Sequence, residues 1–118
     1  MERIDYEPTE PTYPVVSRVV PTEKTALFNL FGKAHAMAIL HEFALEPRPW
    51  RFNELKERLN VSPNTLSERL NEFVEADLVT RRSYDEVPPH VEYEPTAKAR
   101  ELEPMYRYLC EWADRHDP

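Results

Sequence analysis

Glycine and cysteine each occur once among the 118 residues, while proline occurs twelve times. One glycine leaves few hinges, and twelve prolines set many stops, so the chain reads as short elements joined by stiff connections. With no glycine-rich loop there is no phosphate cradle and no dinucleotide fingerprint. A lone Cys110 cannot close an internal disulfide, and no Cys/His spacing matches a structural zinc site. It reads instead as a small core or interface residue. His35, His41 and Glu42 do not make a metal site, because positions i and i+6 of a helix do not share a face. No apolar run is long enough to span a bilayer, and Met1-Glu2-Arg3-Ile4-Asp5 lacks the basic-then-apolar start of a secretory signal. A cytoplasmic protein without membrane contact is expected. No nucleophile–base pair stands out either, so neither an enzyme nor a cofactor is expected.

Positive charge is also scarce: 15 Lys and Arg face 22 Asp and Glu, a formal net charge of −7. A phosphate-binding surface needs local positive potential, so this balance speaks against nucleic acid unless cations gather at one place. Lys56, Arg58, Arg69, Arg81 and Arg82 lie near the motif described below. The acidic excess suits a salt-rich cytoplasm, as in a halophilic archaeon; ordinary solubility or an acidic protein-binding face fits it as well.

Residues 1–21 carry Pro8, Pro11, Pro14 and Pro21 among acidic and polar residues, and read as an extended arm, either mobile or strapped across a second subunit. Residues 22–118 read as one domain. Thr22 can cap a helix from Glu23, with Ala26, Leu27, Leu30 and Phe31 as its apolar stripe and Gly32 as its end. A second helix is expected from Lys33 to Leu45, on the spacing of Ala36, Ile39, Leu40 and Phe43. Pro47 and Pro49 break the chain, and Trp50 and Phe52 are sized to close over a core. Asn53 can cap a short helix from Glu54 to Leu59, and Asn60-Val61 reads as a turn. Ser62 followed by Pro63 is a strong helix start, since proline's missing N–H costs nothing at the first helical position. Leu66, Leu70, Phe73 and Val74 give this helix an inner stripe up to Ala76-Asp77.

Leu78 to Tyr84 alternates as a half-buried strand does, and Val91 to Glu94 resumes beyond a proline-bearing tip, residues 85–90. Thr96 caps a last segment carrying Leu102, Met105, Tyr106, Leu109, Trp112 and Ala113 at helical spacing, which Pro104 kinks or restarts. The fold class is therefore mainly α with a small antiparallel hairpin, in the order of a winged helix-turn-helix. A capped second helix beside a hairpin is an arrangement that reads duplex DNA.

With Leu66 inward, Asn64, Thr65, Glu68 and Asn71 project outward from the Ser62 helix. Amides suit adenine edges, threonine a thymine methyl or a phosphate, and a carboxylate cytosine. Ser62 and the helix N-terminus offer a phosphate seat. Ser67 lies on the same side of the wheel, and Arg69 at its flank can bind phosphate or pair with Glu72 or Glu75. Arg81 and Arg82 point to opposite faces of the wing strand, so only one approaches the backbone freely. His90 at the tip is a phosphate donor when protonated. Leu27, Phe28, Phe31, Met105, Leu109 and Trp112 are more apolar surface than a small monomer exposes, so the first and last helices are expected to pair in a homodimer.

Four pieces resemble the HxlR-type family of winged-helix transcriptional regulators: Leu30-Phe31-Gly32-Lys33, Arg51-Phe52-Asn53-Glu54-Leu55, Ser62-Pro63-Asn64-Thr65-Leu66-Ser67-Glu68-Arg69-Leu70, and Val87-Pro88-Pro89-His90-Val91-Glu92-Tyr93. The resemblance covers roughly residues 28–112. It implies a homodimer built from the first and last helices, with recognition helices in successive major grooves and regulation near its own promoter. It also leaves room for a small-molecule effector. Three departures stand out. No cysteine occurs in Val19-Val20-Pro21-Thr22, where some members carry a sensing thiol. Ala34-His35 follows the Gly-Lys pair where tryptophan is common, and His90 takes a wing position often held by arginine. Other readings stay open: a winged-helix module that binds protein rather than DNA, favoured by the net charge, and a small enzyme, for which no convergent polar pocket stands out.

Overall fold

A computed structural model describes residues 22–116, without the side chains of residues 22 and 23. The proposed arm over residues 1–21 and the Thr22 cap lie outside what is described. Helix α1 (Thr22–Phe31) and helix α2 (Ala36–Leu45) lead into a two-residue strand β1 (Trp50–Arg51). Helices α3 (Phe52–Leu59) and α4 (Pro63–Glu75) follow, then strands β2 (Val79–Tyr84) and β3 (His90–Pro95). Helix α5 (Ala97–Arg100) and helix α6 (Glu103–His116) complete the described chain. The fold class expected from the sequence holds, with a mainly helical body and a small antiparallel sheet.

Four expectations need correction. The hairpin is part of a three-stranded sheet of order β1-β3-β2, because Trp50 pairs with Tyr93 and Arg51 with Glu92. Helix α2 begins at Ala36 rather than Lys33, because His35 sits at φ 66 and turns the chain as its N-cap. Asn53 does not cap α3: the extended Arg51 does, and Glu54 Oε1 accepts the Arg51 N–H at 2.8 Å. That contact holds the Glu54 carboxyl below the ordinary carboxylate range. Val74 does not belong to the inner stripe of α4, since 36% of its surface is exposed.

Other signals translate directly. Ser62 Oγ accepts the Thr65 N–H at 3.3 Å, with Pro63 opening α4. Thr96 Oγ1 accepts the Ala99 N–H at 3.2 Å and donates to the Asp77 carbonyl at 2.7 Å, so one side chain caps α5 and anchors it to the end of α4. Pro104 stands in the first turn of α6, a fresh start after α5.

The core gathers one face from every major element: Ala36, Ile39, Leu40 and Phe43 of α2, Trp50, Leu55 of α3, Leu66, Leu70 and Phe73 of α4, Val79, Tyr93 and Tyr106. Trp50 is fully buried, yet its indole N–H donates to the Glu46 carbonyl at 3.0 Å. Arg48 lies 3.6 Å and Arg58 5.2 Å from the centre of its ring, so two cations sit within cation–π reach of the indole. Ion pairs from Arg58 to Glu42 and Glu46, and from Arg48 to Glu46 and Glu54, hold those cations in place.

Candidate nucleic-acid interface

Helix α4 is two-sided. Leu66, Leu70 and Phe73 are wholly buried, while Asn64, Ser67, Glu68 and Asn71 are exposed. Positions 64, 68 and 71 stand at i, i+4 and i+7, so an amide, a carboxylate and an amide line one outward stripe. Ser62 is exposed at the head of the helix. Thr65 is half-buried, and its Oγ1 accepts from Ser62 Oγ at 3.0 Å. Its hydroxyl therefore accepts within the cap, which leaves its O–H and its methyl to meet a ligand.

The cations are less free than their number suggests. Arg69 turns back from the outward stripe: its Nε donates to the Ala34 carbonyl at 3.0 Å and its Nη1 to Glu72. Glu72 also receives Lys33 Nζ. Those hydrogen bonds, from Lys33 and then from Arg69, hold the Glu72 carboxyl below its usual range. Arg58 is committed to Glu42 and Glu46. Of the cations near the motif, Lys56, Arg81 and Arg82 enter no ion pair among the described residues.

Register decides how the wing presents its charges. Arg82 faces Glu92 across the β2–β3 ladder, and Glu92 also faces Arg51 on its other side. Arg82 is pushed above its ordinary range by a hydrogen bond with Tyr84, then by the Tyr84, Glu94 and Glu92 charges. Arg81 faces Tyr93 on the opposite side of the sheet, and its Nη1 donates to Ser83 at 3.2 Å. The expected split of the two arginines onto opposite faces is thus present, and carboxylates share a face with Arg82. His90 is not at the tip. It opens β3, stacks on Tyr84 at 4.7 Å, and places Nε2 3.2 Å from Glu92 Oε2 and Nδ1 3.9 Å from Glu86 Oε2.

The residues named for pairing between subunits divide in two. Phe28 is 56% exposed, and Leu109 and Trp112 are each 46% exposed. Leu27, Phe31 and Met105 are half-buried, Phe31 and Met105 against the core. Tyr108, 48% exposed on α6, adds to that surface and was not singled out by spacing. The part of Lys33 in the Glu72–Arg69 cluster was missed because it lies 39 residues from Glu72, and the contacts of Arg48 and Arg58 with Trp50 were missed because they follow from how the chain folds around β1 and α3.

Comparison with known proteins gives this geometry a context. A model of the HxlR-like helix-turn-helix matches residues 30–118. BH0655, an HTH-type transcriptional regulator of Halalkalibacterium halodurans, is 42% identical over 85 residues, 71% of this chain and 74% of that protein. YodB, an HTH-type transcriptional regulator of Bacillus subtilis, is 34% identical over 89 residues, 75% of this chain and 78% of its own. The reduced form of YodB superimposes with a TM-score of 0.69 at 30% identity, covering 82% of this chain and 94% of that one. With the capped α4, the β2–β3 wing and the matched sequence in agreement, the chain belongs to the HxlR-like helix-turn-helix family of transcriptional regulators.

Proposed function

We propose that the protein is a homodimeric, sequence-specific DNA-binding regulator of transcription that sets α4 into the major groove. The observation that carries this reading is the exposure of Asn64, Ser67, Glu68 and Asn71 along a helix whose opposite stripe is fully buried. Asn64 and Asn71 are the adenine readers, Glu68 the cytosine acceptor, and Ser62 with the Asn64 N–H at the helix start the phosphate seat. Arg81 is the wing's phosphate cation, because its cross-strand partner is Tyr93 rather than a carboxylate; Arg82 contributes less because it faces Glu92, and Arg69 and His90 contribute less because their polar atoms are engaged within the chain. Two copies would meet through Phe28 of α1 and Tyr108, Leu109 and Trp112 of α6, presenting two α4 helices about 34 Å apart.

The test is a gel shift against the DNA upstream of the protein's own gene, at low salt and at molar salt. Asn64→Ala should weaken the cognate site alone, by about 1–3 kcal/mol. Arg81→Ala should weaken cognate and random duplex alike and make the salt slope shallower by about 1. Equal losses on both duplexes for Asn64→Ala would remove it as a base reader. Absence of a shift at either salt would favour a winged-helix module that docks a basic protein on its acidic surface, a reading that the net charge of −7 supports.

A further inference from the structure

Side chains tie α4 to its surroundings at two places among the described residues: Thr96 and Lys98 hold the carbonyls at its C-terminal end, and a second set of bonds meets at the corner beside the α1–α2 connection. Arg69 Nε donates to the Ala34 carbonyl, Lys33 Nζ donates to Glu72, and Arg69 Nη1 donates to the same carboxylate. Lys33 and Ala34 lie in the short connection between α1 and α2, next to His35 at φ 66. That connection follows directly from α1, which carries the exposed Phe28. We infer that Glu72, bridged by Lys33 and Arg69, is a positioning residue that fixes the angle of the recognition helix against α1, and thereby the spacing of half-sites a dimer accepts.

The physical argument concerns direction rather than strength. Leu66, Leu70 and Phe73 anchor α4 through one buried stripe, and the hydrophobic drive that buries it is non-directional and sets no particular roll of the helix. Charge-assisted bonds are directional. Set on the flank of the helix, at positions 69 and 72, they resist that roll, and they tie it to the segment that leads from the dimer-facing helix. Arg69 is well shielded, with 13% of its side chain exposed, while Lys33 is 45% exposed. Breaking the outer arm of the cluster therefore loosens orientation without opening the core, since exposed ion pairs contribute little to folding.

The inference rests on the DNA-binding reading, and the experiment separates the two. A 30-base-pair randomised duplex pool is selected on the wild-type protein, and the selected duplex is then remade with two base pairs inserted at its centre. That insertion turns one half-site by roughly 70° relative to the other. Wild type and Glu75→Gln, which removes an equal charge from an exposed position of α4 outside the cluster, should prefer the original duplex by about tenfold or more. Glu72→Gln and Lys33→Gln should each reduce that preference to about threefold or less, and the double variant should lose no more than either single one. Retention of the full preference by both variants, or an equal loss in Glu75→Gln, would overturn the positioning role. Should Glu72→Gln fail to fold, Lys33→Gln decides alone. Failure of the wild type to select any duplex would remove the DNA reading itself, and this inference with it.

Discussion

Tyr106 shows what one atom can impose. Its ring packs in the core at 4% exposure and tilts against His41 at 5.5 Å, while its hydroxyl oxygen is buried without a hydrogen-bond partner among the described residues. An unpaired buried hydroxyl is a net cost, so Tyr106→Phe should raise stability by about 1 kcal/mol. Burial also pushes the phenol from the ordinary 10.0 up to about 12. The folded chain then holds this proton more tightly than the unfolded chain does. Stability should be intact below pH 10 and fall as pH rises from there through about 12, and Tyr106→Phe should remove part of that fall. Urea unfolding of both proteins at neutral and at alkaline pH checks both statements; a destabilised Tyr106→Phe would mean that the hydroxyl is bonded after all.

At the scale of elements, three corners are turned by left-handed residues that are not glycine: His35 between α1 and α2, Asn60 between α3 and α4, and Asp77 between α4 and β2. Asparagine and aspartate tolerate that region through local hydrogen bonding; histidine is the less usual choice. The sole glycine, Gly32, ends α1 without a positive φ, and a Cβ there would meet only ordinary contacts, the nearest being the Phe28 carbonyl at 3.4 Å. Gly32→Ala should therefore fold normally and gain about 0.4–1 kcal/mol, because it restricts the unfolded chain at no native cost. Thermal unfolding measures this, and a loss of that size would place hidden strain at the corner.

These corners also explain what the sequence conveyed. Ser62-Pro63, Thr96 and the alternation of the wing are local signals, so the starts of α4 and α5 and the hairpin were legible. The strand at Trp50-Arg51 was not: two residues carry no period, and they are extended because β3 offers them an edge. Asn53 has the right chemistry for a cap, but Glu54 reaches the Arg51 N–H first and starts α3 earlier. In the candidate interface, the outward stripe of α4 was legible from its period. The pairing of Arg69 with Glu72 was one of the readings its i,i+3 spacing offered, whereas the contacts of Lys33 and the Ala34 carbonyl with this pair were not legible, because they lie 39 and 35 residues away and no spacing rule joins them.

For the molecule as a whole, two surfaces have different characters. The acidic exterior resists nonspecific association, whereas Phe28, Tyr108, Leu109 and Trp112 leave apolar area open on α1 and α6. Pairing of two copies through this surface predicts a dimer by sedimentation at micromolar concentration, and Trp112→Glu should shift the species to monomer while leaving the helical signal unchanged. A dimer that survives Trp112→Glu and Leu109→Glu together would place the contact elsewhere. The cations engaged within the chain carry a second consequence for DNA. Lys33, Arg58 and Arg69 are already satisfied by carboxylates, so the salt dependence of DNA affinity should be carried by other cations, and Lys33→Gln should leave its slope unchanged when binding is measured across a salt series.

Cys110, the chain's only cysteine, is exposed on α6, two residues before Trp112. A thiol-reactive fluorophore would therefore attach at one defined point per chain, beside the surface proposed to join two copies. Quenching between two such dyes would follow assembly and dissociation in real time, with no engineered label to disturb the wing or α4.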